Sequence, residues 1–203
     1  CAHLVRSGRM VDAVVKGDVQ RTWELVIPPG SGDDHVFAIG KLFFDRIFEV
    51  TPGAEALFSF KGEDRAESVK FRAHAIKVIK TVGVAVAKLD DLETLVPILE
   101  DLGKKHVAYG VVAEHYDLIG SALLWTLKTG LADEFTPNVE KAWTAVYGVV
   151  ANTMKAGAGY DKPAALKVSS SSSSGGSSSS RRSGSRQPLR RGLIKLGAMA
   201  AAV

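Results

Sequence analysis

Three features that mark other protein classes are absent from this chain of 203 residues. It has one cysteine, Cys1, which excludes an internal disulfide framework and any metal site built from several cysteines. It has no run of about 18 uncharged apolar residues, which excludes a membrane-spanning helix. Residues 1–17 contain no long apolar stretch of the secretory type, so we expect a cytoplasmic protein.

Acidic residues are missing from one end of the chain. Residues 169–203 contain six basic residues and no acidic one, while the whole chain carries a net charge of +4. Residues 1–168 hold 20 basic and 22 acidic residues, so their net charge is −2. The basic balance would indicate a nucleic-acid partner if it were spread over the protein, but it belongs to the tail.

The composition of this tail predicts disorder. Residues 169–180 are serine and glycine only, which leaves nothing to bury against the entropy cost of ordering. We therefore predict a disordered Ser/Gly/Arg-rich tail over 161–203. Contact of its arginines with nucleic acid or an anionic membrane is the alternative. We favour a plain extension, because the arginines are few and no aromatic residues lie between them.

The remaining sequence has the pattern of one helical domain, predicted over 18–160 after an N-terminal extension of residues 1–17. Apolar residues such as Phe71, Ala75 and Val78 recur at helical spacing. Nowhere do apolar and polar residues alternate over the length of a strand. The pattern predicts an all-α fold.

Several residues predict where helices begin. Asp18 follows a glycine and is predicted as the N-cap of the first helix. Thr51-Pro52 and Thr136-Pro137 each combine a capping side chain with a proline in the first helical turn. We predict that these pairs open a short helix and the last helix, respectively.

Two histidines lie on the apolar faces of consecutive helices. His74 belongs to the stripe of Phe71 and Val78, and His106 follows Leu102 by one helical turn. A single histidine in such a position is usually a core residue whose nitrogens have partners. Two of them can instead face each other across a ligand. A zinc site would need three or four ligands, which are not evident. The expected surroundings are large and apolar: Phe44, Phe58, Val78, Val111, Tyr116 and Ile119. An iron-bearing macrocycle held by imidazole fits that chemistry.

Six motifs lie in order along the helical part. PGAEALFSF contains Phe58, KFRAHAIKV contains His74, and LGKKHVAYGV contains His106. HYDLIGSALLWTL and FTPNVEKAWTAVYGVV follow them, and Trp23 lies in VQRTWELV near the start. Taken together, these motifs resemble those of the globins, from about residue 18 to residue 157. The resemblance implies the globin fold, about eight helices packed around haem.

The resemblance also assigns roles to individual residues. It implies haem b as the cofactor, with His106 as the proximal iron ligand and His74 as the distal histidine. Phe58 matches the phenylalanine that wedges against the haem, and Lys77 matches a lysine that meets a haem propionate. A solvated Lys77 is the alternative. The remaining positions that match haem contacts are Phe44, Val78, Leu102, Val111, Tyr116 and Ile119.

Within the globins, the sequence is most similar to neuroglobins and related single-domain globins, since Phe44 occupies the distal aromatic position. The connection between Phe60 and His74 is shorter than in neuroglobins. Two roles are open for His74. It donates a hydrogen bond to an iron-bound gas, or it binds iron itself and gives bis-histidyl six-coordinate haem. The likeness to neuroglobins favours the second role.

We expect a protein that reversibly binds oxygen or another diatomic gas, for storage, transport or sensing. The alternative is a haem enzyme such as a nitric oxide dioxygenase. That activity would need a separate reductase, because no nucleotide-binding module of the GxGxxG type is present. A helical interaction domain that has lost haem is a third reading, and retention of both histidines argues against it. We favour the gas-binding protein over the enzyme.

Overall fold

The computed structural model describes residues 13–160, and within them it contains helices and no strand, which confirms the all-α prediction. The predicted tail, 161–203, lies outside the described residues. None of the helices between residues 13 and 160 is long and apolar enough to cross a membrane. The six α-helices are α1 (Ala13–Val26), α2 (Asp33–Val50), α3 (Val69–Ala87), α4 (Leu92–Ala108), α5 (Ala113–Leu131) and α6 (Pro137–Ala158). Two short 3-10 helices add Pro52–Leu57 and Ala132–Glu134.

Polar side chains define where three of these helices begin. The Ser68 hydroxyl accepts a hydrogen bond from the backbone N–H of Phe71, 3.0 Å away, at the start of α3. Asp91 and Thr136 accept equivalent bonds from the third residue of α4 and α6. Each bond satisfies one of the backbone donors that a helix start leaves unpaired. The starts of α3 and α4 in turn fix the positions of the two histidines.

The first helix begins earlier than the sequence suggested. It starts at Ala13, so Asp18 lies within α1 and the prediction of Asp18 as an N-cap was wrong. The helix also crosses the predicted boundary between residues 17 and 18. The reason is packing, because Val15 and Val19 stand one turn apart and both contact the hydrophobic core. Their burial extends the helix past a local capping signal.

The last helix is anchored to the first by a pair of tryptophans. The rings of Trp23 and Trp143 have centroids 5.9 Å apart. Trp143 is fully buried, and its indole N–H donates a hydrogen bond of 2.9 Å to the Thr22 hydroxyl. The bond satisfies the one polar atom of the largest buried side chain.

Helices α4 and α6 form the most extensive helix–helix contact, and two glycines allow it. A Cβ atom on Gly103 would lie 2.0 Å from the carbonyl oxygen of Met154, and one on Gly157 would lie 2.2 Å from that of Glu100. Only glycine fits at such a backbone-to-backbone approach. The helix that carries His106 therefore rests directly on the backbone of α6.

We predict that Gly103→Ala lowers the free energy of unfolding by about 1–3 kcal/mol, because the added methyl group overlaps the α6 backbone. Gly148→Ala is the matched control, since a Cβ there has no atom within 4 Å. It should stabilise the protein by less than about 1 kcal/mol through helix propensity. Urea unfolding of both variants tests the prediction, and equal effects would contradict it.

Candidate functional site

His74 is surrounded by aromatic rings. From α3, its imidazole faces Phe44 on α2 at a centroid distance of 5.4 Å. Phe58 lies at the same distance and Phe60 at 5.9 Å, both in the segment that follows the first 3-10 helix. Phe58 and Phe60 are stacked on each other with centroids 5.1 Å apart. The three phenylalanines hold the ring from one side and leave it half-buried.

The nitrogens of His74 have no hydrogen-bond partner among residues 13–160. The pKa of His74 is lowered from its ordinary value of 6.5 to about 4, mainly by burial and in smaller part by electrostatic interaction with Lys77 and His106. The imidazole is therefore neutral at physiological pH. It offers a free nitrogen lone pair inside an apolar surrounding, which is the state in which imidazole binds a metal.

His106 presents a different arrangement near the end of α4. Its Nδ1 donates a hydrogen bond of 2.8 Å to the carbonyl oxygen of Leu102. The proton is then on Nδ1, so Nε2 carries the free lone pair. Burial lowers the pKa of His106, while the bond to Leu102 acts in the opposite direction. The result is a half-buried, neutral imidazole in one fixed tautomer.

The chain turns sharply just after His106. Gly110 adopts φ of +80°, in the left-handed region. The N–H of Gly110 donates to the Val107 carbonyl at 3.0 Å, and that of Val111 donates to the His106 carbonyl at 3.1 Å. These two bonds form a Schellman motif, which brings Val111 back beside the last helical turn. The Tyr160 hydroxyl donates to the carbonyl of Val111 and so ties the end of the described chain to this turn.

The other predicted site residues differ in exposure. Phe44 and Tyr116 are buried in the core, whereas Lys77 is exposed. Among the described residues, the buried hydroxyl of Tyr116 has no hydrogen-bond partner. The predicted contacts that are half-buried at the edge of the core are Phe58, Val78, Leu102, Val111 and Ile119.

Sequence reasoning missed three residues that shape the site. Phe60 completes the aromatic surround of His74, and Gly110 closes the turn after His106. Arg65 places its guanidinium over the ring of Phe48, next to the same aromatic group. Gly110 had a readable signal, since a glycine just past a helix end is typical of this cap. Phe60 and Arg65 had no such signal in the sequence, because their contacts depend on the path of an irregular segment.

Comparison with known proteins decides the family. The family model described as Globin matches residues 41–154, more than half of the chain. The chain belongs to the globin family. This globin is 33% identical over 147 residues to neuroglobin from Danio rerio, covering 70% of the chain and 89% of the relative. It is 35% identical over 123 residues to neuroglobin-2 from Oncorhynchus mykiss, covering 58% and 77%.

The fold agrees with that family. A crystal structure of a hexacoordinated heme protein from an anhydrobiotic tardigrade, at pH 4, matches with a TM-score of 0.64. The match covers 72% of this globin and 94% of that chain, at 21% sequence identity. Together with the sequence relatives, it supports a neuroglobin-like globin of all-α fold.

The donor set of the site fits haem rather than a bare metal ion. Among the described residues, no group of three or more His, Cys, Asp or Glu side chains is arranged to hold a metal. His74 and His106 instead offer two half-buried imidazoles whose pKa values burial lowers, so both are neutral nitrogen donors. Two nitrogen donors are too few to hold a bare metal ion, but they suit an iron whose other ligands a macrocycle supplies. The residues present therefore fit the cofactor of the family.

The lowered pKa of His74 predicts a pH dependence of stability. Between pH 6.5 and about 4, the unfolded chain protonates His74 and the folded chain does not, so the free energy of unfolding falls as pH is lowered. Acidification through this window should lower the free energy of unfolding of the wild-type protein more than that of the His74→Leu variant. Urea unfolding of the haem-free proteins at several pH values tests this. Parallel curves for the two proteins would show that His74 does not contribute.

Proposed function

We propose that this globin holds haem b through His106 and His74 and reversibly binds oxygen or another diatomic gas. His106 is the permanent iron ligand in this proposal, and His74 is a second ligand that a gas displaces. The observation that carries it is the difference between the two imidazoles. One has a fixed tautomer and a hydrogen-bond partner, whereas the other has neither.

The permanent role of His106 follows from its local structure. The bond from Nδ1 to the Leu102 carbonyl orients the ring and raises the basicity of Nε2, as hydrogen-bond acceptors behind metal-bound histidines do. The Schellman motif and the close packing of α4 on α6 hold the backbone that carries it. A ligand supported in this way should dissociate slowly from the metal.

The displaceable role of His74 follows from what it lacks. No hydrogen bond to a described residue orients its ring, and its neighbours include the rings of Phe44 and Phe58. The similarity to neuroglobins also favours iron binding by His74. A competing side chain reduces the apparent affinity for a gas by the fraction of protein in which the site is closed.

After displacement, His74 keeps a function. When bound, haem supplies an iron site at which a diatomic gas binds reversibly. A ring N–H of His74 would then be available to donate a hydrogen bond to a diatomic ligand such as oxygen, a contribution of about 1–3 kcal/mol. Phe44 offers no hydroxyl, so His74 is the donor that this side of the pocket provides.

In this proposal, Lys77 binds the edge of the cofactor. Its ammonium group is exposed, and its charge acts on His74 from one helical turn away. A carboxylate of the haem would pair with it at the mouth of the pocket. Because the site is exposed to solvent, the pair would contribute little to affinity and mainly favour one orientation of the cofactor.

The visible spectrum of the ferrous, gas-free protein tests the role of His74. We expect two sharp low-spin bands in the wild type and a single broad high-spin band in His74→Leu. His115→Gln is the control. It removes another histidine but keeps an acceptor for the Val112 N–H, which His115 Nδ1 binds at 3.3 Å. A broad high-spin band in the wild type would refute iron binding by His74.

A separate variant tests the role of His106. His106→Ala removes the proposed permanent ligand, so it should lose haem or show a spectrum unlike that of the wild type. Measurement of the Soret band and of haem release to a scavenging apoglobin reports both effects. Unchanged haem binding and spectrum in His106→Ala would mean that another residue is the proximal ligand.

A further inference from the structure

One arginine connects three parts of the chain around the aromatic surround of His74. Arg65 lies in the segment between the first 3-10 helix and α3. Its Nη1 is 3.4 Å from Glu55 in that 3-10 helix, and its Nε is 3.7 Å from Asp45 on α2. Its guanidinium carbon is 5.1 Å from the ring centroid of Phe48, also on α2. The segment is thus attached to both elements that precede it.

The contacts of Arg65 continue to His74 through a series of rings. Phe48 lies 5.6 Å from Phe58 and 6.3 Å from Phe60, centroid to centroid. Phe58 and Phe60 are the stacked pair that faces His74. Ring contacts therefore connect the Arg65 guanidinium to the His74 imidazole through Phe48 and the stacked pair. Because packed rings move together, displacement of Phe48 or of the segment changes the position of Phe58 and Phe60.

The environment of the Arg65 guanidinium differs from that of an ordinary surface arginine. Its Nε is buried and makes no hydrogen bond within the described part of the chain, since 3.7 Å to Asp45 is too long for one. A buried, unpaired donor is costly. The arginine keeps this arrangement through its contact with the Phe48 ring and its attraction to two carboxylates, which favour a planar cation at this position.

We propose that Arg65 is a positioning residue for His74. It holds Phe58 and Phe60 against the imidazole and so favours the state in which His74 binds iron. This inference rests on the proposed function, because it concerns how firmly the second ligand is held. Loss of the guanidinium loosens the segment, and His74 then leaves the iron more often and the pocket opens more readily.

The chain offers a matched control in Arg46. Its guanidinium carbon is 5.1 Å from the Trp125 ring, and its Nη1 is 2.9 Å from Glu49. The chemistry and the exposure of its side chain resemble those of Arg65, at 31% and 35% respectively. Arg46 faces α5, however, and has no ring contact with the group around His74 among the described residues. Comparison of the two arginines separates positioning from a general loss of surface contacts.

The rate of His74 release is the direct measurement. At saturating carbon monoxide, binding to a six-coordinate haem is limited by that release. We expect Arg65→Met to accelerate it by about two- to tenfold, the range that loss of a partly buried cation–aromatic contact supports. Arg46→Met should leave the rate within about 1.5-fold of wild type, because the Arg46 guanidinium contacts Trp125 on α5 and distant sites that share no partner rarely couple. Equal rates for the two variants would overturn the proposal.

A conservative variant separates an effect on the position of His74 from a general loss of stability. Arg65→Lys keeps the positive charge near Asp45 and Glu55 but lacks the planar group over Phe48. We expect its release rate to lie between those of the wild type and Arg65→Met. Urea unfolding of all variants is measured alongside. If Arg65→Met lowers stability while the release rate stays at the wild-type value, Arg65 is structural only and the proposal is wrong.

A further measurement distinguishes failure of this proposal from failure of the proposed function. The C–O stretching frequency of the carbon monoxide form reports the position of His74 whether or not His74 binds iron in the gas-free protein. We expect Arg65→Met to shift or broaden this band and Arg46→Met to leave it unchanged. A wild-type protein without six-coordinate iron would refute bis-histidyl binding alone. An unchanged band in Arg65→Met would refute the positioning role.

Discussion

The hydrogen bond from His106 Nδ1 to the Leu102 carbonyl is the interaction on which the site depends. It decides which nitrogen faces the pocket and keeps the other from rotating into its place. The bond lies within one helical turn, so it forms wherever α4 forms. What it needs from the rest of the molecule is an α4 whose position is fixed. Gly103 and Gly157 supply this, since they let α4 rest on the backbone of α6.

The opposite side of the pocket follows a different principle. His74 has aromatic neighbours where His106 has a hydrogen-bond acceptor, and its pKa is lowered mainly by burial. Rings constrain the place of an imidazole but not the direction of its protons. The two halves of the site thus combine one imidazole fixed by a directional bond with one confined by its neighbours. The proposed displacement of His74 is consistent with this difference, because no hydrogen bond to a described residue would have to break at each release.

Much of this architecture is readable in the sequence, because local chemistry dictates it. The starts of α3 and α6 are set by the capping hydroxyls of Ser68 and Thr136, and the apolar stripes place both histidines on inner faces. The error at Asp18 shows the limit of local signals, since packing of Val15 against the core accompanies a start of α1 at Ala13, before Asp18. Phe60 and Arg65 lie in an irregular segment, where no periodicity relates a residue to its neighbours in space. Their roles emerge only once that segment is folded against α2.

The hydrogen bond from the Tyr160 hydroxyl to the Val111 carbonyl connects the end of the described domain to the turn after His106. The described domain ends at Tyr160, beside the turn that follows His106, so one hydrogen bond links this end to the segment that holds His106. A fusion or an immobilisation made directly after Tyr160 therefore acts on that turn.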